Sequence, residues 1–103
     1  MPKVYVVNKR HHDFSSAEKY GELVYMTEGI VPIFKTTALM EDFEEKLKDF
    51  NYKEDFLLIS GPSIANMMAA MVLVQGSYSP FTVLIHDVKE QKYVARTMLT
   101  GNC

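Results

Sequence analysis

Apolar residues fall along the chain in short runs separated by polar breaks. Val4-Tyr5-Val6-Val7 is β-branched and aromatic and predicts a buried strand. The polar stretch from Asn8 to Asp13 reads as a loop. Ser15-Ser16-Ala17-Glu18 matches an S-x-x-E capping box, which predicts a short helix from about Ser16 to Tyr20, stopped by Gly21. Leu23-Val24-Tyr25-Met26 predicts a second strand, closed by Thr27-Glu28-Gly29. Ile30 to Phe34 is apolar but holds Pro32, which has no amide hydrogen for a ladder, so it is a connector or an edge strand.

Leu39, Phe43, Leu47 and Phe50 recur at spacings of four, four and three, with Glu41, Glu44, Glu45 and Lys48 on the other side. This is a one-faced helix beginning after Thr36 or Thr37 and packed on a sheet. Asp55 to Ile59 carries a continuous apolar run, as in a strand covered on both faces. A second long helix is expected from Pro62 or Ser63 to about Gln75, with Gly76 ending it; proline suits a first helical position. From Ile64 to Val74 only Asn66 interrupts the apolar run. Such a helix is buried on more than one side, by a second helix layer or by a partner subunit. We therefore expect a homodimer or larger homo-oligomer through Ser63–Gln75, with Met68, Met71 and Val72 or their neighbours facing outward. Phe81 to Ile85 is a further strand ending at His86-Asp87. Lys89-Glu90-Gln91 is a turn. Lys92 to Met98 alternates and is an antiparallel edge strand, because its connection is too short for a crossover. Thr100 to Cys103 is expected to fray.

Strands and helices alternate, so the fold class is α/β: a small three-layer sandwich with a mostly parallel sheet. The expected order is 2-1-3-4-5 with the last strand antiparallel, Rossmann- or flavodoxin-like. A length of 103 residues suits a single domain, 1–103. With 11 basic against 13 acidic residues the net charge is −2, without the basic excess of a duplex binder, so no polymeric nucleic acid is expected as partner. The lone Cys103 has no internal partner and fits a reducing, cytoplasmic setting. Val4 to Val7 is cut off by Asn8-Lys9-Arg10, too early for a signal peptide. The longest apolar stretch, Met67 to Val74, is eight residues against the ~20 of a membrane helix, so a soluble protein without a membrane partner is expected.

In such sheets ligands bind beyond the carboxyl ends of the strands, where the strand order reverses. That point lies between the first and third strands. The segments there are Asn8-Lys9-Arg10-His11-His12 and Ser60-Gly61-Pro62-Ser63, with Thr27-Glu28-Gly29 and His86-Asp87 on the same rim. The candidate binding set is Asn8, Lys9, Arg10, His12, Thr27, Glu28, Gly29, Ser60, Gly61, Pro62, Ser63, Asn66 and His86. Gly61 lets the backbone approach a ligand, and the helix that follows offers free amides to an anion. Ser60, Ser63 and Asn66 add donors, or else merely cap the turn. Glu28 holds a ribose hydroxyl or pairs with a lysine. His86 is a ligand contact, a general base or a satisfied histidine near the core. Neither G-x-x-x-x-G-K-[ST] nor G-x-G-x-x-G occurs. Adjacent His11 and His12 point apart, and no histidine pair has helical spacing, so neither metal nor cofactor is expected. Ser63, His86 and Asp87 have the residue types of a triad but lack a G-x-S-x-G elbow, so no catalytic set is assigned.

Met1 to Lys9, His12-Asp13-Phe14-Ser15-x-Ala17 and Gly21 to Gly29 resemble the opening of a family of short proteins from tailed phages and prophages. Ile59 to Ile64 and Tyr93 to Arg96 are similar as well, and the likeness covers most of the chain. The resemblance implies a phage protein acting in a bacterial cytosol. Small phage proteins with a nucleotide-like pocket include sponges, which hold cyclic-oligonucleotide or ADP-ribose-derived immune signals without cleaving them. The expected function is non-catalytic sequestration of a phosphate-bearing, nucleotide-derived small molecule. The alternatives are a small nucleotide-processing enzyme (a transferase or phosphoesterase) and an interaction protein without a ligand.

Overall fold

The computed structural model describes residues 1–98; the expected fraying of Thr100 to Cys103 lies outside them. Five strands form one sheet: β1 (Lys3–Val6), β2 (Glu22–Tyr25), β3 (Phe56–Leu58), β4 (Phe81–Asp87) and β5 (Lys92–Met98). Their order is β2-β1-β3-β4-β5. β1 pairs in parallel with β2 and β3, β3 pairs in parallel with β4, and β5 returns antiparallel to β4. A 3₁₀ helix (Ser15–Tyr20) joins β1 to β2; α1 (Thr36–Lys46) joins β2 to β3; α2 (Ser63–Gly76) joins β3 to β4. The class and strand order are those the alternating runs predict.

The two-residue period of a strand divides the apolar side chains between two cores. Tyr5 and Val7 of β1 and its extension, Leu57 of β3 and Phe81 and Val83 of β4 face α1 and α2. There they meet Leu39, Phe43, Ala65, Ala69 and Leu73. Val4, Val6, Leu58 and Leu84 point the other way, against Phe14, Ala17 and Tyr93. The 3₁₀ helix covers that second face, its Tyr20 hydroxyl donating to the Tyr93 carbonyl at 3.0 Å. The strands therefore run through the middle layer, and their loops are left to form the rims.

Several local expectations give way. The Ser15 capping box does not form. Asp13 takes that place: its carboxylate accepts the Ser15 amide at 2.9 Å. The hydrogen bonds from Ser15 favour the charged form and so hold the Asp13 carboxyl below its ordinary range. Of the two readings of Ile30 to Phe34 the structure has the connector and not the edge strand; Val31 is buried while Ile30 and Phe34 stand in solvent. α1 stops at Lys46, and the chain that follows carries Leu47 and Phe50 into the same core. Gly76 is the last residue of α2 rather than the one after it. A side chain there would crowd the Tyr52 hydroxyl, which donates to the Leu73 carbonyl at 2.6 Å.

α2 buries Ala65, Met68, Ala69, Val72 and Leu73 against the sheet and α1, so α1 supplies the second cover. The outward residues are Met67 and Met71, 59% and 49% exposed. Met68 and Val72, expected among the outward positions, face the core instead.

Asp55 ties the amino-terminal edge of the sheet together. It is 6% exposed, and its carboxylate accepts the Lys3 amide at 2.8 Å and the Asn51 amide at 2.9 Å. Both bonds are charge-assisted, and removing the acceptor leaves two amides unpaired. Asp55→Ala is expected to lower unfolding free energy by roughly 2–4 kcal/mol, read as a lower urea midpoint with an unchanged slope.

Candidate functional site

β1, β3 and β4 leave the sheet on one rim. The ladder continues a residue beyond the strands there: the Val7 amide donates to the Leu58 carbonyl and the Ile59 amide to the Leu84 carbonyl, both at 3.2 Å. Asn8, 1% exposed, is the hub. Its amide donates to Ser60 Oγ at 3.0 Å, and Ser60 Oγ donates back to the Asn8 carbonyl at 2.9 Å. Its Nδ2 donates to Thr27 Oγ1 at 2.9 Å and to the Gly29 carbonyl at 3.0 Å, while Thr27 Oγ1 donates to the Val7 carbonyl at 2.6 Å. Asn66 closes the loop before α2 in the same manner. Its Oδ1 accepts the Ser60 amide at 3.0 Å, and its Nδ2 donates to the carbonyls of Ser60 and Pro62 at 3.0 and 2.9 Å.

The polar atoms of Asn8, Thr27, Ser60 and Asn66 are thus largely spent on backbone and on one another. These residues build the floor of the rim. Gly61 belongs with them. Its φ is +77°, and a Cβ there would stand 2.5 Å from Asn8 Cβ and 2.6 Å from Asn8 Oδ1. The glycine is needed for the approach to Asn8, whereas the sequence pattern pointed to the approach of a ligand. Asn8 Oδ1 is buried and has no donor among the described residues.

Above this floor lies a cleft of about 300 Å³ lined by Asn8, Arg10, His12, Phe14, Ile59, Ser60, Gly61, His86 and Tyr93. Four rings form its wall. His12 meets Phe14 at 5.0 Å between centroids and His86 at 4.9 Å, both edge to face, and His86 meets Tyr93 at 5.1 Å. Burial, with a smaller push from the Asp13 charge, raises the Tyr93 phenol to about 12, so it is a neutral donor at physiological pH. The Arg10 guanidinium is exposed and makes no hydrogen bond or ion pair among the described residues.

A second depression, about 390 Å³, adjoins the first and is lined by Lys9, Arg10, His11, Glu28, Gly29 and Ile30. Arg10 belongs to both. Lys9 Nζ lies 4.5 Å from the centre of the Tyr25 ring. Larger hollows at the other rim, next to Tyr20 and next to Pro80, hold neither arginine nor histidine.

Of the expected set, the first cleft gathers Asn8, Arg10, His12, Ser60, Gly61 and His86. Lys9, Glu28 and Gly29 line the second depression. Thr27, Pro62, Ser63 and Asn66 line neither. His12 lines the first cleft and His11 the second depression. Ser63 does not line the cleft that His86 lines, and the Asp87 carboxylate caps the hairpin by accepting the amides of Lys89 and Glu90. Among the described residues no three His, Cys, Asp or Glu side chains are grouped to hold a metal, and no helix is long and apolar enough to cross a membrane. Phe14, Ile59 and Tyr93 were absent from the sequence-based set. Tyr93 had a usable signal: the short hairpin pairs it with His86, so the two side chains share a face.

Comparison with curated proteins and with solved structures returned no match. A family model does match, over residues 2–99, which is nearly the whole chain. By that match the chain belongs to the phage Pam3 gp32-like protein family.

Proposed function

We propose that the protein binds a phosphate-bearing, nucleotide-derived small molecule in the Arg10 cleft and holds it without altering it. The observation that carries this reading is the placement of a guanidinium, unpaired among the described residues, on the same cleft as four rings. A guanidinium recognises phosphate by paired hydrogen bonds, and ring faces and edges suit a heterocyclic base. Acid–base chemistry needs positioned groups that each reach a substrate proton. Here the two histidines touch each other, and Glu28 lies in the other depression. In a phage protein at work in the bacterial cytosol, such retention would remove a cyclic-oligonucleotide or ADP-ribose-type defence signal from its receptor.

The test is incubation with a nucleotide panel, removal of free ligand, heat denaturation and mass spectrometry of the supernatant. Intact ligand is the expected recovery. The second reading, a small nucleotide-processing enzyme, is favoured by the His12–His86 contact and would return an altered ligand. An interaction protein would return none.

The same proposal includes a homodimer through α2, with Met67 and Met71 covered by the partner copy. Each large apolar side chain left in water forgoes roughly 1.5–3 kcal/mol of burial. Met71→Glu places a charge on a half-exposed position and is expected to keep the native circular dichroism spectrum. Light scattering should then give the 11.8 kDa monomer, against twice that mass for the unsubstituted protein. A wild-type monomer at micromolar concentration would remove the dimer.

A further inference from the structure

We propose that the two depressions on this rim are halves of one bipartite site. The ligand it fits is two-headed: a flat heterocycle and a sugar with vicinal hydroxyls, joined through a diphosphate. The inference rests on the nucleotide reading above and names the ligand class for that site.

Arg10 lines both depressions and is unpaired among the described residues, so an anion seated on its guanidinium has one half of the site on either side. The first half, about 300 Å³, is at the lower end of ligand pockets and has room for one heterocycle with its ribose. The second half, about 390 Å³, has a different chemistry. Its Glu28 is exposed and its carboxylate has no hydrogen bond or ion pair among the described residues. Lys9 does not neutralise it, since its ammonium sits over the Tyr25 ring. An unneutralised carboxylate repels a phosphate and accepts hydroxyl hydrogens. A carboxylate at the end of the strand beside β1 is the group that holds ribose hydroxyls in dinucleotide-binding sheets. Anion is therefore directed to Arg10, and polyol to Glu28.

Backbone hydrogen bonds fix the chain on both sides of Glu28. The Lys9 amide donates to the Thr27 carbonyl and the Gly29 amide to the Lys9 carbonyl, both at 2.8 Å. Beside it, Gly29 faces open space where a side chain would be, which leaves the sugar room against the chain.

Calorimetry with ADP and ADP-ribose tests this. ADP-ribose carries less charge than ADP, so tighter binding cannot come from an extra phosphate charge. ADP-ribose is expected to bind at least tenfold tighter than ADP, and Glu28→Ala to cut that ratio to twofold or less. Equal binding of the two probes, or a ratio that survives Glu28→Ala, overturns the bipartite site and leaves the nucleotide reading standing. Binding of neither probe overturns both.

Discussion

Gly61→Ala is expected to destabilise the protein by roughly 2–5 kcal/mol. Two costs add. A left-handed backbone costs a residue with a Cβ about 1–2 kcal/mol, and Gly61 has φ +77°. The new methyl would also stand 2.5 Å from Asn8 Cβ, and overpacking of this kind costs typically 1–3 kcal/mol. Asn8 cannot yield cheaply. Its amide and carbonyl are clipped to Ser60, and its side chain is bonded to Thr27 and Gly29. The source of the cost is separable by a double-mutant cycle. In an Asn8→Gly background the contact is gone and only the backbone strain is left, so Gly61→Ala should cost at least about 1 kcal/mol less there. Equal costs in both backgrounds would show that Asn8 is not the neighbour that demands glycine.

Arg10→Ala is expected to do the reverse: to leave stability within about 0.5 kcal/mol and to weaken nucleotide binding roughly 10- to 100-fold. Arg10 is exposed and pairs with no other described residue, so the fold loses nothing. A charge-assisted hydrogen bond contributes about 1.5–3 kcal/mol, and each 1.4 kcal/mol is about tenfold in affinity. Calorimetry with ADP reads the loss directly, and rising salt should weaken the wild type more than the variant. Unchanged affinity in the variant would take the phosphate away from Arg10.

These two substitutions mark where the sequence was legible and where it was not. The strands, their parallel direction and the layer count follow from local runs, whereas the order 2-1-3-4-5 follows from the usual topology of such sheets. Val4-Tyr5-Val6-Val7, Phe56-Leu57-Leu58 and Phe81-Thr82-Val83-Leu84 each declare a strand, and the helices between them force parallel crossovers. The rim as the place of the site follows from the same topology. What each rim residue does there depends on contacts between distant segments. Ser60 reaches Asn8 across 52 positions of chain, and no local pattern reveals that its hydroxyl is already used. His12 and His86 meet only because β1 and β4 both flank β3. α2 hid its orientation for another reason. With nearly every position apolar, the pattern carries no facing signal, and the packing of α1 and the sheet alone turns Met68 inward and Met67 outward. Near Ser15 two carboxylates are within local reach of one amide, and Asp13 rather than the Glu18 of a capping box accepts it.

A nucleotide-derived ligand held in the ring-walled cleft at Arg10 would lie against His12 and His86. Titration followed through the imidazole resonances of His12 and His86 tests it most directly, because those two rings touch each other and the cleft. ADP-ribose is expected to move both sets of signals together along one saturable curve, and Arg10→Ala to shift that curve to higher concentration. Signals of His12 and His86 that stay fixed while millimolar ADP-ribose and ADP are added would contradict it.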